Sequence, residues 1–312
     1  MIKIIRYNSI HKNFWDTFCQ NSNNAIFQNM RDYLEYKEIE KYSDHSLLLL
    51  DDDTLVALLP AAQVDRTVIS HPFTAHGGII TENNLSHSYL EKLWAGIINY
   101  FFKNNLTSIR IKSKFIDQNF GSDSLESFIL LSKGFNVYES NLNSVVYLNN
   151  PTQFSSRKKR NLKKFEGTYL LSDQNNLKEI YDLIQLTLKN YHGVSPTHSF
   201  KELKFLVKTF PKNIELFSAV VDDEISACSV VYKYNKAWHT QYLASSELGR
   251  KNGALDSLLV LIGHKAKDVG CTHLSFGIST ENNGKVLNNG LFNYKQEFGA
   301  TARINLTLEL TK

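Results

Sequence analysis

The apolar residues in the first half of the chain recur at two kinds of spacing, which predict a series of helices and strands. Spacings of three and four residues indicate amphipathic helices, whereas short apolar runs bounded by turn residues indicate strands. Asp51, Asp52 and Asp53 separate two such runs and predict a hairpin turn. The elements predicted here are helices at 10–20 and 27–42, a hairpin at 47–59, a helix at 88–105 and a strand at 106–113.

The second half of the chain repeats this series about 165 to 170 positions later. Asp222 and Asp223 again separate the two apolar runs of a hairpin. The predicted elements are helices at 176–191 and 200–210, a hairpin at 215–234, a helix at 253–270 and a strand at 271–279. Residue identity between the halves is slight, so an architecture repeats, and a diverged tandem duplication explains it most simply.

The junction between the halves lies near Asn149, Asn150 and Pro151, which break the preceding strand pattern. We therefore predict an N-terminal domain of residues 1–150 and a C-terminal domain of residues 151–312. Each contains helices, an antiparallel hairpin or meander, a long helix and a further strand. This order predicts the α/β (α+β) class, with a mixed, mostly antiparallel sheet flanked by helices in each domain.

A polar segment at 277–284 follows the strand that ends at Phe276. Ligands of α/β folds bind at the C-terminal ends of strands, so this loop is predicted to lie at the mouth of a cleft. A helix is predicted from Val286 and a C-terminal cap at Gly299, before a last strand. The predicted substrate-binding residues of the loop are Ser279, Thr280 and Asn282.

Composition bounds the class of protein. The 312 residues suffice for two domains, and 42% hydrophobic with 21% charged residues is typical of a globular protein. A net charge of +4 does not demand a nucleic-acid or membrane partner but is compatible with an anionic small substrate. Three cysteines without close spacing predict neither a disulfide framework nor a zinc site. Without a signal-like N-terminus or an apolar run long enough to span a bilayer, we expect a cytoplasmic location.

The stretch from Tyr242 to Gly277 resembles the Gcn5-related N-acetyltransferase (GNAT) fold, with a strand, a Gly-containing loop, a long helix and the next strand. In that family the loop holds the pyrophosphate of coenzyme A, and backbone amides at a helix N-terminus suit an anion. The chain departs from the family's loop pattern, because Leu255 stands where a small residue belongs. The residues that the resemblance assigns to this loop are Gly249, Arg250, Asn252, Gly253 and Ala254. Plain helix capping is the alternative.

The first half has no such glycine loop and carries Glu82 at the equivalent place. A diverged GNAT domain before an equipped one resembles the FemABX-like transferases. Many single-domain GNAT enzymes use a tyrosine four residues before the equivalent of Gly299 as a general acid, and here Lys295 stands at that spacing beside Tyr294. The resemblance implies that Lys295 neutralises phosphate or developing charge, with a solvated helix lysine as the alternative.

Transfer of an acyl group to an amine benefits from a general base, and histidine is suited to neutral pH. His239 lies on the predicted strand 236–245, where alternation places it on the face of Gln241 and away from Trp238 and Tyr242. His71 and His76 lie in a Pro- and Gly-containing loop predicted to cover a cleft between the domains. Glu281 completes the candidate bases, although a lone histidine is commonly a structural hydrogen-bonding group.

The densest basic cluster of the chain lies at 157–164 and follows two serines suited to cap a helix, Ser155 and Ser156. Arginine binds phosphate with two parallel hydrogen bonds, so Arg157 and Arg160 are candidates for phosphate contacts to a nucleotide-linked acceptor or to the acyl donor. The alternative is a solvated face of the helix.

The resemblance implies an N-acyltransferase that uses acyl-CoA or an acyl-carrier thioester as co-substrate, with no tightly bound cofactor and no metal. The acceptor implied is a nucleotide-linked amino-dideoxy sugar for surface glycan or lipopolysaccharide synthesis, with a short hydroxyacyl group such as 3-hydroxybutanoyl. One alternative is an aminoacyl-tRNA-dependent peptidoglycan transferase of the FemABX type, although the chain lacks its coiled-coil insertion and strong positive charge. Another is a non-catalytic binding protein.

Overall fold

The computed structural model describes residues 2–37, 40–74, 76–113, 124–150, 154–171 and 174–312. Two compact units divide the chain. Unit 1 comprises residues 1–141, 283–285 and 304–312, and unit 2 comprises residues 142–282 and 286–303. The C-terminal strand therefore ends in unit 1. Within the described ranges, no helix is both long enough and apolar enough to cross a bilayer.

Unit 1 pairs β1 with β3 and β3 with β4, all antiparallel, and forms a second ladder in which β6 and β7 are parallel. Its core packs α3 residues such as Trp94 and Phe101 against Leu47 and Leu49 of β3. The strands are β1 (Ile2–Arg6), β2 (Ser43–Asp44), β3 (Leu47–Asp51), β4 (Thr54–Leu59), β5 (Ala61–Val64), β6 (Thr67–Ser70) and β7 (Ser108–Lys112), and the helices are α1 (Lys12–Asn21), α2 (Arg31–Leu34), α3 (His87–Lys103) and α4 (Ser124–Ser132).

The sheet of unit 2 follows the order β8, β13, β12, β11, β10, β9, in which β12 and β13 are parallel. The strands are β8 (Asn136–Tyr147), which begins in unit 1, β9 (Thr168–Leu171), β10 (Ile214–Val221), β11 (Glu224–Lys233), β12 (Ala237–Ser245), β13 (His273–Ile278), β14 (Thr280–Glu281), β15 (Val286–Leu287) and β16 (Thr301–Thr311). The helices are α5 (Ser156–Leu162), α6 (Leu177–His192), α7 (Phe200–Thr209), α8 (Glu247–Lys251), α9 (Ala254–Asp268) and α10 (Asn289–Gln296).

Opposite faces of this sheet are covered by different helices. On one face α9 packs Leu258 and Ile262 against Val231 and Trp238. Successive residues of a strand point to opposite faces, so Cys228, whose thiol contacts the backbone of α6, marks the other face. The predicted class, with a mixed, mostly antiparallel sheet and flanking helices in each half, is confirmed.

Both predicted hairpins are present, and their turns share one conformation. Asp52 and Asp53 join β3 to β4, and Asp222 and Asp223 join β10 to β11, all with positive φ. Two successive positive φ values are those of the tight turn that matches the twist of a hairpin, and aspartate tolerates them better than most residues.

Two predicted helices are wrong in extent. Residues 38 and 39 of the helix predicted at 27–42 lie outside the described ranges; in the rest of that segment a 3₁₀ turn spans Phe27–Asn29 and α2 spans Arg31–Leu34. The Asn29 side chain accepts a hydrogen bond from the amide of Ile26, and Met30 is extended, which interrupts the helix. The helix predicted from Val286 begins at Asn289 instead, because Val286 pairs in β15 and Asn288 caps α10.

Candidate active site

The parallel strands β12 and β13 of unit 2 separate partway along their length. They pair only from Ala237 to His239 on β12 and from His273 to Ser275 on β13. The Thr240 hydroxyl donates to the carbonyl of Ser275 at the point of separation, 3.3 Å away. Both strands continue beyond this point without pairing to each other, and we call this separation at the C-terminal end of β13, where α/β folds bind ligands, the notch.

A β-bulge at Gln241 changes which residues share a face of β12. Thr240 is opposite Val231 and Tyr242 is opposite Val230, so Gln241 is an extra residue. Tyr242 therefore lies on the α6 face, where its hydroxyl bonds His198. The prediction that His239 lies away from Tyr242 is wrong, since both residues are on the α6 face, opposite Trp238.

His239 is oriented by a short chain of hydrogen bonds. Its Nδ1 lies 3.1 Å from Ser275 Oγ, which also accepts from Asn143 Nδ2 at 3.2 Å and from the amide of Gly277 at 3.3 Å. Burial, with a smaller contribution from the Lys295 charge, lowers the pKa of His239 to about 4. The imidazole is therefore neutral at pH 7 and can take up a proton.

Lys295 of α10 is 4% exposed, and its ammonium group donates to the carbonyls of Gly277 at 2.9 Å and Ile278 at 2.6 Å. Burial lowers its pKa to about 7. Within the described parts of the chain, Lys295 forms no ion pair with a carboxylate. A buried ammonium group held only by carbonyl dipoles is suited to bind a negative charge, either on a ligand or developing in a transition state.

Gly277 allows this arrangement because its φ is +74°, a left-handed value that turns its carbonyl toward α10. A Cβ at this position would also lie 3.4 Å from Cε1 of His239. His239 and Lys295 thus approach the same backbone segment from different elements. One of the four candidate bases, His239, and the predicted charge-neutralising lysine are thus brought together, whereas His71 and His76 lie in unit 1.

The depressed pKa of Lys295 makes stability depend on pH. Between about pH 7 and its ordinary pKa of 10.5, the unfolded chain binds this proton more tightly, so the unfolding free energy rises with pH through this group. We expect Lys295→Met to remove that rise. The stability difference between variant and wild type should change by up to about 4 kcal/mol between pH 7 and 10 in urea titrations.

The control for this measurement is Lys267→Met, on an exposed lysine of α9. It should leave the pH dependence of stability unchanged. If Lys295→Met gave curves parallel to wild type from pH 7 to 10, Lys295 would titrate as an ordinary exposed lysine and the enclosed site would be contradicted.

The predicted phosphate loop forms the turn between α8 and α9. The amide of Gly249 donates to the Ser246 hydroxyl at 3.1 Å, and a Cβ at Gly249 would lie 2.1 Å from the carbonyl of Ser226. Gly249 therefore allows α8 to pack closely on β11. Asn252 is the C-cap of α8, and Gly253, with φ +68°, is the residue before α9.

The N-terminus of α9 is partly covered. The amide groups of its first turn, which begins at buried Ala254, have no backbone partner in the helix. The carbonyl oxygen of Asn161, at the end of α5, would lie 2.6 Å from a Cβ at Gly253. Arg250 is exposed and stacks over the ring of Tyr191, 3.4 Å from its centroid. Arg250 is thus accessible to an anion, while the Asn161 carbonyl opposes one at the start of α9.

The basic cluster forms α5, in which one face is exposed and one lysine is buried. Arg157 and Arg160 are exposed, and Arg157 lies 3.7 Å from Glu297. Lys158 is 1% exposed and pairs with Asp256 at 2.8 Å. The sequence does not predict that one lysine of this cluster points inward while its neighbours point outward. A run of basic residues carries no apolar periodicity to mark its inner face.

The residues of the predicted cleft-mouth loop make structural contacts. Ser279 is buried, and its amide donates to Leu142 of β8. The Thr280 hydroxyl accepts from the amide of Leu142, and Glu281 accepts from Asn288 at 2.7 Å. Asn282 has φ +51° in the turn that joins β14 to β15. These four residues order the hairpin β14–β15 after β13.

His71 and His76 are both buried in unit 1. His76 Nδ1 lies 3.4 Å from the carbonyl of Gly77. Burial lowers the pKa of His71 to about 4, and its Nδ1 has no hydrogen-bond partner among the residues that the structure describes. His71 borders a polar cavity of about 900 Å³ in unit 1, together with Arg31, Asp44 and Tyr7.

Across the described ranges, no group of three metal-ligating side chains converges. The three cysteines are buried and free.

Comparison with known proteins shows the fold. The chain aligns with FemX over 99% of its own length and 97% of the FemX chain, with a TM-score of 0.68 and 10% identity. It aligns with the C-terminal domain of a putative lysylphosphatidylglycerol synthetase from Agrobacterium fabrum over 82% of both chains, with a TM-score of 0.56 and 12% identity. L-PGS from Bacillus licheniformis gives a TM-score of 0.56 at 13% identity over 82% of this chain and 81% of that one. No protein-family model and no curated sequence matches. The FemABX-like fold is thereby confirmed.

Proposed function

We propose that the chain is an N-acyltransferase whose acyl donor enters the notch between β12 and β13. The observation that carries this proposal is the pairing of a neutral imidazole, His239, with a buried ammonium group, Lys295, beside Gly277. The FemX fold over the whole chain agrees with this chemistry.

The reaction follows from these two groups. The acceptor amine attacks the acyl carbonyl carbon, a C–N bond forms and the carbonyl oxygen becomes negative. His239 takes the proton that the amine loses at Nε2, in the tautomer in which Nδ1–H donates to Ser275 Oγ. When the intermediate collapses, the C–S bond of a thioester breaks and the thiolate receives that proton. The charge of Lys295 favours the negative intermediate.

The first donor we propose is a thioester of coenzyme A or of an acyl carrier. Arg250 and the first-turn amides of α9 are the groups that would meet its phosphates. The acceptor we propose is the amino group of a nucleotide-linked amino-dideoxy sugar, and the acyl group a short hydroxyacyl such as 3-hydroxybutanoyl. Acceptor and acyl group rest on the family resemblance alone.

An aminoacyl-tRNA donor is the second candidate, and one contact favours it. The carbonyl of Asn161 lies against Gly253, where a pyrophosphate of coenzyme A would approach, while Arg157 and Arg160 leave a basic face of α5 exposed. Lysylphosphatidylglycerol synthetase, whose fold is similar, is named for a lysyl product. The product here would carry an aminoacyl group on an amine.

A thermal-shift screen separates the donors, because a bound ligand raises the unfolding temperature by mass action. The panel contains acyl-CoAs, charged tRNA, uncharged tRNA, and UDP- and dTDP-linked sugars. We expect stabilisation by one donor class and one nucleotide sugar. For an acyl-CoA donor, Gly253→Glu should abolish that shift, because the new side chain would push Asn161 aside and place a carboxylate at the phosphate position.

The matched control is Gly270→Glu. Gly270 also has positive φ, at +83°, but no atom within 4 Å of its Cβ position, so it imposes similar backbone strain without filling the loop. An unchanged acyl-CoA shift in folded Gly253→Glu would exclude the α8–α9 turn as the donor site. A blank against both donor classes would leave a non-catalytic binding protein.

A further inference from the structure

Lys158 is the inward-facing residue of α5 and is among the largest fully buried side chains of the protein. Its ammonium group lies 2.8 Å from Asp256 Oδ1 in the first turn of α9 and 3.6 Å from Glu297 just after α10. It also lies 4.2 Å from the ring centroid of Tyr294 and 4.0 Å from that of Phe298. The buried ammonium group of Lys158 thus contacts two carboxylates and two aromatic rings. These belong to the first turn of α9, to α10 and to the residues just after α10.

The remaining polar atoms of this cluster are also bonded. The Tyr294 hydroxyl donates to Asp256 Oδ1 at 2.9 Å, and Asn161 Nδ2 donates to Asp256 Oδ2 at 3.2 Å. The amide of Ser155, which caps α5, donates to the carbonyl of Glu297 at 3.1 Å. These contacts attach α5 to the first turn of α9 and to the C-terminal end of α10. Lys158 contacts both sites. A buried charge is tolerated only when it is paired in this way.

The cluster adjoins the candidate active site through α10. Tyr294 and Lys295 are consecutive residues of that helix, and successive helical side chains point about 100° apart. Tyr294 points into the Lys158 cluster, whereas Lys295 points to the carbonyls of Gly277 and Ile278. The contacts of α10 with Lys158 thus bear on the orientation of this helix and on how closely it packs, and both determine where the Lys295 ammonium group lies.

We propose that Lys158 is a positioning residue, which holds α10 against α9 so that the ammonium group of Lys295 stays enclosed at the carbonyls of Gly277 and Ile278. Its importance for acyl transfer rests on the proposed function, but the positioning itself is a property of the fold. Lys158 itself contacts neither the donor nor the acceptor in the proposed reaction.

The other titratable groups near Lys295 can be told apart from Lys158. His239 faces it from β12 and is neutral at pH 7. On α10 and just after it, Tyr294 and Glu297 point to Lys158 instead. The pKa of Lys295 therefore reports how deeply its own side chain is buried, since burial is the cause of its depression.

The test follows the ¹³Cε resonance of Lys295 against pH by NMR, on the full chain and without substrate. Two substitutions are combined, Lys158→Met with Asp256→Asn, so that the buried Asp256 carboxylate is not left without its cation, while Glu297 keeps Arg157 at 3.7 Å. We expect wild-type Lys295 to titrate near pH 7 and the double variant to titrate at least about one unit higher, because α10 loosens and water reaches the amine. Lys159→Met, on an exposed neighbour in α5, should match wild type.

If folded Lys158→Met/Asp256→Asn kept the wild-type titration of Lys295, packing alone would hold α10 and the proposal would be overturned. An ordinary titration of Lys295 near 10.5 in wild type would also overturn it. Absence of turnover with any donor would instead count against the proposed function, since this titration needs no substrate.

Discussion

Lys295→Met is expected to lower kcat by about 100- to 1,000-fold, the usual cost of removing one group that stabilises an oxyanion. Lys295 is enclosed and donates to two backbone carbonyls, and within the described ranges it has no carboxylate partner. The negative charge that pairs with it is therefore expected on a ligand or on the reaction intermediate. KM for the acceptor should change little, because the interaction is made chiefly in the transition state. Steady-state kinetics with the donor found in the thermal-shift screen make this measurement.

Lys267→Met serves again as the control, because it removes an exposed lysine from the same unit. Lys295→Arg tests the charge separately: a partial recovery of kcat would assign the effect to electrostatics. If kcat of Lys295→Met stayed within about threefold of wild type, the lysine would serve the fold alone and the assignment to catalysis would be wrong.

His239→Gln is expected to lower kcat by about 100- to 10,000-fold, the range for loss of a general base. Glutamine keeps the size of the side chain and can bond Ser275, but it cannot accept a proton from the amine. The pH profile gives a second signature. The folded pKa of His239 is lowered to about 4, so its basic form persists down to that pH and activity should fall only as pH drops through about 4.

Lys295 sets the opposite limb of that profile. Its charged form is lost as pH rises through about 7, so wild-type kcat should be highest between about pH 4 and 7. Because His239 and Lys295 interact, the two pKa values that bound the profile are properties of the pair rather than of either residue alone. In His239→Gln the acid limb should disappear while the alkaline limb stays. His264→Gln, at an exposed histidine of α9, should keep both limbs. An acid limb near 6.5 in wild type would point to a different base.

The sequence predicted the repeated architecture because its signals are local. Asp52, Asp53, Asp222 and Asp223 adopt the positive φ of tight hairpin turns, and the apolar spacing of α3 and α9 is strong. The helix expected at 27–42 failed because Asn29 uses its side chain to bond the backbone, which propensity and spacing do not record.

The candidate site could be predicted in its residue types but not in its geometry. The sequence identifies His239 and Lys295 as candidates, yet the bulge at Gln241 that puts Tyr242 on the α6 face depends on pairing with β11. The approach of Asn161 to Gly253 and the burial of Lys158 depend on packing between helices distant in sequence. Such contacts leave no local pattern.

We infer that unit 2 transfers an acyl group at the notch between β12 and β13. The most direct test incubates the protein with isotope-labelled acyl-CoA or aminoacyl-tRNA and a panel of amino sugars, and detects labelled amide by mass spectrometry. We expect labelled amide from one donor class with wild type and a loss of at least about 100-fold in both Lys295→Met and His239→Gln. Equal product from wild type and both variants, or no product from either donor, would contradict it.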